Sequence, residues 1–134
     1  MAGDSRSVTK VLVVDDDKES RDLLFEVLTT NGYSVSVVES AASARSLLET
    51  DQSYRIVIAD LQMPDTSGFE LVEELRRRNS KHEIILMSSF ISGTEREIAL
   101  GLGVDALLEK PFQLSDLLEL VASLDGQMPS LRSN

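Results

Sequence analysis

The chain has 134 residues, 42% of them hydrophobic, and carries 13 basic against 23 acidic side chains, for a formal net charge of -10. This length suits one compact domain that buries roughly two thirds of its unfolded surface. The acidic balance opposes binding to nucleic acid or to an anionic membrane, and the lack of cysteine excludes disulfides, zinc-thiolate sites and thiol catalysis. The polar lead at 1–9 has no apolar core of signal-peptide length, and no other stretch is long enough to span a bilayer, so we expect a cytoplasmic location.

Apolar runs that do not alternate with polar residues predict strands buried on both faces, as in a parallel sheet. Such a run occurs at 11–14, strongly apolar segments follow at 54–59 and 84–87, and 33–38 and 106–109 also predict strands. Each is followed by apolar residues at helical spacing, which predict five helices with these residues in the core. The predicted core residues of the helices are Leu23, Leu24, Val27 and Leu28; Ala44, Leu47 and Leu48; Phe69, Leu71, Val72 and Leu75; Ile98, Leu100 and Leu102; and Leu114, Leu117, Leu118, Val121 and Leu124. Strictly alternating strands and helices predict an open parallel sheet with helices on both faces.

Polar residues and glycines predict where several of these helices begin and end. Ser40 is a candidate N-cap for the second helix, and Thr94 with Glu97 fits a capping box for the fourth. Gly32 and Gly103 follow the first and fourth helices, where a left-handed residue commonly ends a helix.

Acidic residues come directly after two of the predicted strands. Asp15, Asp16 and Asp17 follow the first strand, and Asp60 follows the third. Side by side in a parallel sheet, these strands would gather Asp15, Asp16 and Asp60 at one edge, where mutual repulsion disfavours full ionisation unless a cation is bound. The sequence therefore predicts a metal site at this edge. We interpret Asp17 as a helix N-cap instead.

The segment 60–68 after the third strand is predicted to be a rigid loop beside this site. Pro64 restricts the preceding Met63 to extended conformations, and Gly68 tolerates backbone angles that are closed to other residues.

Four segments, each at the end of a predicted strand, together resemble the response-regulator receiver domain of two-component signalling. They are Val13-Val14-Asp15-Asp16, Asp60-Leu61-Gln62-Met63-Pro64, Leu86-Met87-Ser88-Ser89 and Leu108-Glu109-Lys110-Pro111-Phe112. The resemblance spans 10–125 and implies an α/β fold with a single doubly wound five-stranded parallel sheet of flavodoxin-like order 2-1-3-4-5 and five helices on both faces. It leaves 1–9 as a lead and 126–134 as a C-terminal tail or truncated linker.

The resemblance also implies a phosphoacceptor and a metal site. Asp60 would take a phosphoryl group from a histidine kinase or a histidine phosphotransfer protein. Asp15 and Asp16 would hold Mg²⁺ with Asp60, Mn²⁺ being a substitute, and Gln62 would offer its backbone carbonyl to the ion. Such a domain promotes its own phosphorylation and dephosphorylation and controls a partner or output domain, without turning over a separate substrate. From the acidic net charge we expect no direct nucleic-acid contact.

Two further positions match groups that bind the phosphoryl oxygens in the family. Ser88 would supply a hydroxyl and Lys110 an ammonium, with Pro111 following a cis peptide. A carboxylate attacks a phosphoryl group poorly because both are negative, so a divalent cation and a lysine are the charges that this chemistry needs.

One position departs from the family pattern and affects the expected conformational switch. Receivers commonly carry Tyr or Phe three residues before the lysine, where this chain has Leu107. We expect Ser88 to move on phosphorylation and to relay the signal through the backbone and through Phe90 and Ile91, apolar residues in a predicted exposed loop.

Other functions fit parts of the same pattern. An aspartyl-phosphate hydrolase of the haloacid-dehalogenase type would use Asp15 and Asp17, but Glu19 stands where that motif usually has Thr or Val, and no further acidic pair is evident. A pseudo-receiver that binds a partner without phosphorylation would lack an acid or the lysine, and all are present. A flavin-binding module would need a phosphate-binding loop after the first strand, which the sequence lacks.

Overall fold

The computed structural model describes residues 8–78 and 80–126, in which strands and helices alternate strictly. The strands are β1 (Lys10–Val14), β2 (Ser34–Val38), β3 (Tyr54–Asp60), β4 (Glu83–Ser88) and β5 (Ala106–Glu109). The helices are α1 (Lys18–Thr30), α2 (Ala41–Thr50), α3 (Gly68–Arg77), α4 (Gly93–Leu102) and α5 (Leu114–Leu124). The predicted tail beyond residue 126 and most of the predicted lead lie outside the described residues. Within them, no helix is both long and apolar enough to cross a membrane.

All strand pairs are parallel and the strand order is β2-β1-β3-β4-β5, which confirms the predicted order 2-1-3-4-5. The chain runs from β1 outward to β2 and then returns to the other side of β1, so the topological switch point lies between β1 and β3. Val14 pairs with Ala59, and Asp60 pairs with Met87. This register brings the residues after β1 beside the last residue of β3, at the edge where ligands bind in such sheets.

Two apolar layers hold the helices on opposite faces of the sheet, because alternate residues of each buried strand point to opposite sides. Leu12 and Val57 pack with residues of α2 and α3, whereas Val11 and Ile58 pack with residues of α1 and α5. Burial on both faces explains why β1, β3 and β4 are almost continuously apolar, whereas the edge strand β2 is only half-buried and carries alternating serines.

Three predicted core residues of the helices lie at the surface. The exposed fraction of the residue is 49% for Leu23, 43% for Ile98 and 77% for Leu100. A helical stripe includes flanking positions, and only its centre faces the sheet. In α4 that centre is Ala99, which is buried although the sequence pattern gave it no weight.

The helix ends confirm most of the predicted caps. Ser40 caps α2, and Gly32 and Gly103 have positive φ angles after α1 and α4. The predicted capping box of Thr94 and Glu97 is wrong, because α4 begins earlier, and Ser92 and Glu95 form both bonds of the box. The two pairs have the same spacing, so the pattern alone could not separate them.

Candidate metal and phosphoacceptor site

Three carboxylates converge at the carboxyl edge of the sheet. Asp15 directly follows β1, and Asp60 ends the neighbouring strand β3. Asp15, Asp16 and Asp60 each offer one oxygen, and these oxygens lie within 4.8 Å of one another. Asp15 is fully buried, Asp60 is 9% exposed, and Asp16 is exposed.

Backbone amides hold the two buried carboxylates in place. The amide of Asp17 donates to Oδ1 of Asp15 at 2.9 Å, and the amide of Gln62 donates to Oδ1 of Asp60 at 3.0 Å. Each amide lies two residues after its acid, so each strand leads into a turn that fixes one carboxylate oxygen. The guanidinium of Arg21 supports the first turn by donating to the backbone oxygen of Asp15 at 2.9 Å.

Lys110 faces these carboxylates from the end of β5. Its Nζ lies 2.9 Å from Oδ2 of Asp60 and 3.6 Å from Oδ2 of Asp15. Its backbone amide donates to the carbonyl of Ser88 at 2.7 Å, which anchors this residue to the end of β4. Burial lowers the pKa of Lys110, but the hydrogen bond and charge of Asp60, with the charge of Asp15, outweigh it and raise the pKa above its usual range. Lys110 is therefore a cation at neutral pH.

The charges and donors of the site fit a divalent cation. Burial raises the pKa of Asp15, and the charges of Asp60 and Asp16 raise it further, against the opposing effects of the Asp17 amide and Lys110. Oδ2 of Asp15 is buried without a hydrogen-bond partner in the described part of the chain. Three carboxylates and one ammonium leave two negative charges uncompensated, and hard oxygen donors are those that Mg²⁺ and Mn²⁺ bind.

Ser88 ends β4 and is buried with an exposed fraction of 2%. Its hydroxyl donates to the carbonyl of Phe90 at 3.0 Å. Phe90 is 68% exposed, as predicted for this loop, but the prediction is wrong for Ile91, which is 7% exposed. Ile91 directly precedes the N-cap of α4, where an apolar side chain often packs against the helix. Ser88 is thus bonded to the loop that it is expected to move.

Leu107, at the position that departs from the family pattern, lies in β5 opposite Leu86 of β4. Its side chain is half-buried and packs against the apolar layer that α2 and α3 cover. The predicted switch position is therefore a packed aliphatic side chain.

The loop after β3 is held close to Asp60. Gln62 pairs with Ser67 across the loop, and the amide of Gly68 donates to the carbonyl of Leu61 at 2.7 Å. The φ angle of Gly68 is not positive, so the predicted reason for a glycine is wrong. A Cβ atom at Gly68 would lie 2.7 Å from the carbonyl oxygen of Asp60, so close packing requires the glycine.

The remaining predicted structural residues lie near the site. Pro64 is exposed within the same loop, and the Lys110–Pro111 peptide is cis. Two residues that the sequence did not single out also contact this region. Arg21 bonds the backbone of Asp15, and Asp65 bonds the start of α2. An arginine one turn into a helix and an acid in a polar loop carry no distinctive sequence signal.

A sequence model of the response regulator receiver domain matches residues 11–122. The chain belongs to this family. Response regulator MprA of Mycolicibacterium vanbaalenii is 35% identical over 115 residues, which are 86% of this chain and 49% of that protein. The chain thus spans about half the length of the curated relatives it matches.

Solved receiver structures agree with the fold and the family. A CheY-like receiver domain protein from Methanospirillum hungatei superposes with a TM-score of 0.84 at 28% identity, covering 92% of this chain and 99% of that one. A receiver protein from Pseudomonas putida gives a TM-score of 0.83 at 32% identity, covering 88% of this chain and 98% of that one. The chain is therefore a response-regulator receiver domain of two-component signalling.

Proposed function

We propose that this receiver accepts a phosphoryl group on Asp60 from a histidine kinase or a histidine phosphotransfer protein. Asp15 and Asp16 would hold Mg²⁺ together with Asp60, and Gln62 would add its backbone carbonyl. The observation that carries the proposal is the convergence of three carboxylate oxygens within 4.8 Å, with the Lys110 ammonium 2.9 Å from Asp60.

The surroundings of the acids favour Asp60 over Asp15 as the nucleophile. Asp15 is fully buried, whereas the side chain of Asp60 is 13% exposed. Asp17, which the hydrolase alternative needs as its general acid, accepts the amide of Ser20 as the N-cap of α1. The alternative therefore lacks both an accessible nucleophile and a free acid.

The proposed transfer forms one bond and breaks one bond. An oxygen of Asp60 attacks phosphorus, the bond from phosphorus to the donor histidine nitrogen breaks, and the released nitrogen takes up a proton. Bound Mg²⁺ would supply positive charge that cancels the repulsion between carboxylate and phosphoryl group. Lys110, which is bonded to Asp60 before transfer, would move its ammonium to the phosphoryl oxygens.

Ser88 connects this chemistry to the surface. To donate to a phosphoryl oxygen, its hydroxyl must release the carbonyl of Phe90, which it bonds in this structure. The β4–α4 loop would then rearrange around the exposed Phe90 while Ile91 remains in the core. Moving the domain from mostly inactive to mostly active needs roughly 3 to 5 kcal/mol, which one or two charge-assisted hydrogen bonds and an ion pair can supply.

The proposed role does not include turnover of a separate substrate, and receiver domains are generally not turnover enzymes. The phosphorylated domain would control a partner protein or an output domain. We propose no direct contact with nucleic acid, because the chain carries a net charge of -10. The cytoplasmic location remains a prediction.

The test is mass spectrometry after incubation with acetyl phosphate, with and without Mg²⁺. The wild-type chain should gain one phosphoryl group only with Mg²⁺, on the peptide that contains Asp60, and Asp60→Asn should gain none. An adduct on Asp15 that survives in Asp60→Asn would support the hydrolase alternative. A wild-type chain that binds Mg²⁺ but gains no adduct would be a pseudo-receiver.

The switch is tested separately by amide hydrogen exchange before and after phosphorylation. We expect exchange to change in 89–93, because the Phe90 amide, which donates to the Ser88 hydroxyl at 3.4 Å, loses this bond when the hydroxyl moves. Unchanged exchange in this segment would refute the relay and leave the phosphoacceptor assignment untouched.

A further inference from the structure

The loop between β3 and α3 is bonded to the start of α2, which is distant in sequence. The carboxylate of Asp65 accepts the amide of Ala42 at 3.1 Å and the amide of Ala41 at 3.4 Å. These amides belong to the first turn of α2, where backbone donors have no partner within the helix. Burial raises the pKa of Asp65, but the bonds from Ala42 and Ala41, together with the amide of Asp65 itself and the charge of Arg45, outweigh this effect, so the pKa lies below its usual range.

The cap of α2 therefore consists of two separable parts. Ser40 is the local part, because its Oγ accepts the amide of Ser43 at 3.1 Å. Asp65 is the distant part, because it reaches α2 from the loop after the phosphoacceptor strand. Removing either part weakens the same helix, but only removal of Asp65 also releases the loop.

Within this loop, other contacts join the residues before Asp65 to the residues after it. The amide of Gln62 bonds the side chain of Asp60, and Gln62 pairs with Ser67 across the loop. The amide of Gly68 bonds the carbonyl of Leu61. These contacts fix the base of the loop, and the bonds of Asp65 fix its outer part to α2.

We propose that Asp65 is a positioning residue for the metal site, which fixes the loop to α2 so that Gln62 presents its backbone carbonyl to the ion. This inference rests on the proposed function, because it takes that carbonyl as a metal ligand. Asp65 does not contact the ion in this account. It holds the loop in the conformation that metal binding requires, so ion binding does not carry the entropic cost of ordering the loop.

The experiment compares Asp65→Ala with Ser40→Ala, which removes the local cap of the same helix and leaves the loop untouched. Isothermal titration calorimetry with MgCl₂ measures the Kd for Mg²⁺, and thermal denaturation without Mg²⁺ measures Tm. Both variants should lower Tm by about 4 °C, since each loses capping bonds of α2. Only Asp65→Ala should weaken Mg²⁺ binding, by about tenfold, which is the lower end of the effects of groups that orient metal ligands.

A second readout does not depend on the metal. Without Mg²⁺, amide hydrogen exchange at Gln62 and Gly68 should be faster in Asp65→Ala than in the wild-type chain and unchanged in Ser40→Ala. Asp65→Asn keeps one acceptor oxygen in a side chain of the same size, so its Kd and exchange rates should lie between those of wild type and Asp65→Ala. This variant also keeps the test open if Asp65→Ala fails to fold.

The outcomes separate this proposal from the proposed function. A Kd for Asp65→Asn and Asp65→Ala within twofold of wild type, with the wild-type chain binding Mg²⁺ and phosphorylated on Asp60, would refute the positioning role alone. Equal weakening in Ser40→Ala would also refute it, because the effect would then come from α2 stability. A wild-type chain that binds no Mg²⁺ would overturn both.

Discussion

Replacing Asp15 with asparagine should stabilise the metal-free domain and abolish its binding of Mg²⁺. Oδ2 of Asp15 is buried without a hydrogen-bond partner among the described residues, so its charge is poorly solvated. Asparagine has nearly the same shape, and its side-chain oxygen can still accept the amide of Asp17. The substitution therefore removes a charge while largely keeping the packing.

The magnitude follows from the distances around Asp15. With Lys110 at 3.6 Å, the lost attraction is about 4.6 kcal/mol at an effective dielectric constant of about 20. The carboxylate oxygens of Asp15 and Asp60 lie within 4.8 Å, so at least about 3.5 kcal/mol of repulsion is relieved, with a smaller share from the exposed Asp16. These terms nearly cancel, and the relieved burial of a charge leaves a net stabilisation of about 1 to 2 kcal/mol.

Thermal denaturation of both proteins across a magnesium titration checks this result. Without Mg²⁺, Tm of Asp15→Asn should exceed that of wild type by about 3 to 8 °C. At about 100 times the Kd, bound Mg²⁺ should stabilise only the wild-type chain, by about 2.7 kcal/mol, so the order of the two Tm values reverses. A lower Tm for Asp15→Asn without Mg²⁺ would contradict this prediction, because it would mean that the Asp15 charge stabilises the metal-free domain.

Three other predictions concern the same site and its supporting loop. In Mg²⁺-free buffer, the raised pKa of Asp15 means that the folded state binds the Asp15 proton more tightly than the unfolded state does. Wild-type stability, measured by urea denaturation, should therefore fall as pH rises from about 4 through the raised pKa, and the profile of Asp15→Asn should be flatter. Without Mg²⁺, Lys110→Met should lower the free energy of unfolding by about 2 kcal/mol, since it removes the cation that pairs with Asp60. In calorimetry, added Mg²⁺ should restore part of this loss, and an unchanged Tm without Mg²⁺ would contradict a stabilising ion pair. Gly68→Ala should lower the free energy of unfolding by about 1 to 3 kcal/mol, because the added Cβ would meet the Asp60 carbonyl oxygen. The control Gly101→Ala in α4, where the added Cβ meets open space, should raise it by about 0.5 to 1 kcal/mol, and equal Tm shifts in the two variants would be evidence against the close contact.

The sequence predicted the strands, the helices and the meeting of the acids from strong local signals, whereas the strand order came from the family resemblance. Unbroken apolar runs specify buried parallel strands, and an acid at the end of such a strand must lie at the carboxyl edge of the sheet. Asp15 and Asp60 could therefore be placed together although they are 45 positions apart in the printed sequence. The family resemblance added Ser88 and Lys110, which have little local signal of their own.

The features that the sequence did not predict depend on contacts between distant segments, or on which of two equally good local patterns the chain adopts. Asp65 caps a helix that begins 24 residues earlier, which no local pattern indicates. Gly68 is required by the position of the Asp60 carbonyl, and this close approach exists only in the folded chain. Ser92 and Thr94 each begin a pattern that fits a capping box, and the packing of the preceding Ile91 accompanies the earlier start.

A crystal of the Mn²⁺-loaded protein would show whether the three carboxylates share one ion, since anomalous scattering locates the ion without assumptions about activity. We expect one ion bound jointly by Asp15, Asp16 and Asp60, with the backbone carbonyl of Gln62 as a further ligand. An ion bound elsewhere, or no ion at a saturating concentration of Mn²⁺, would contradict this expectation.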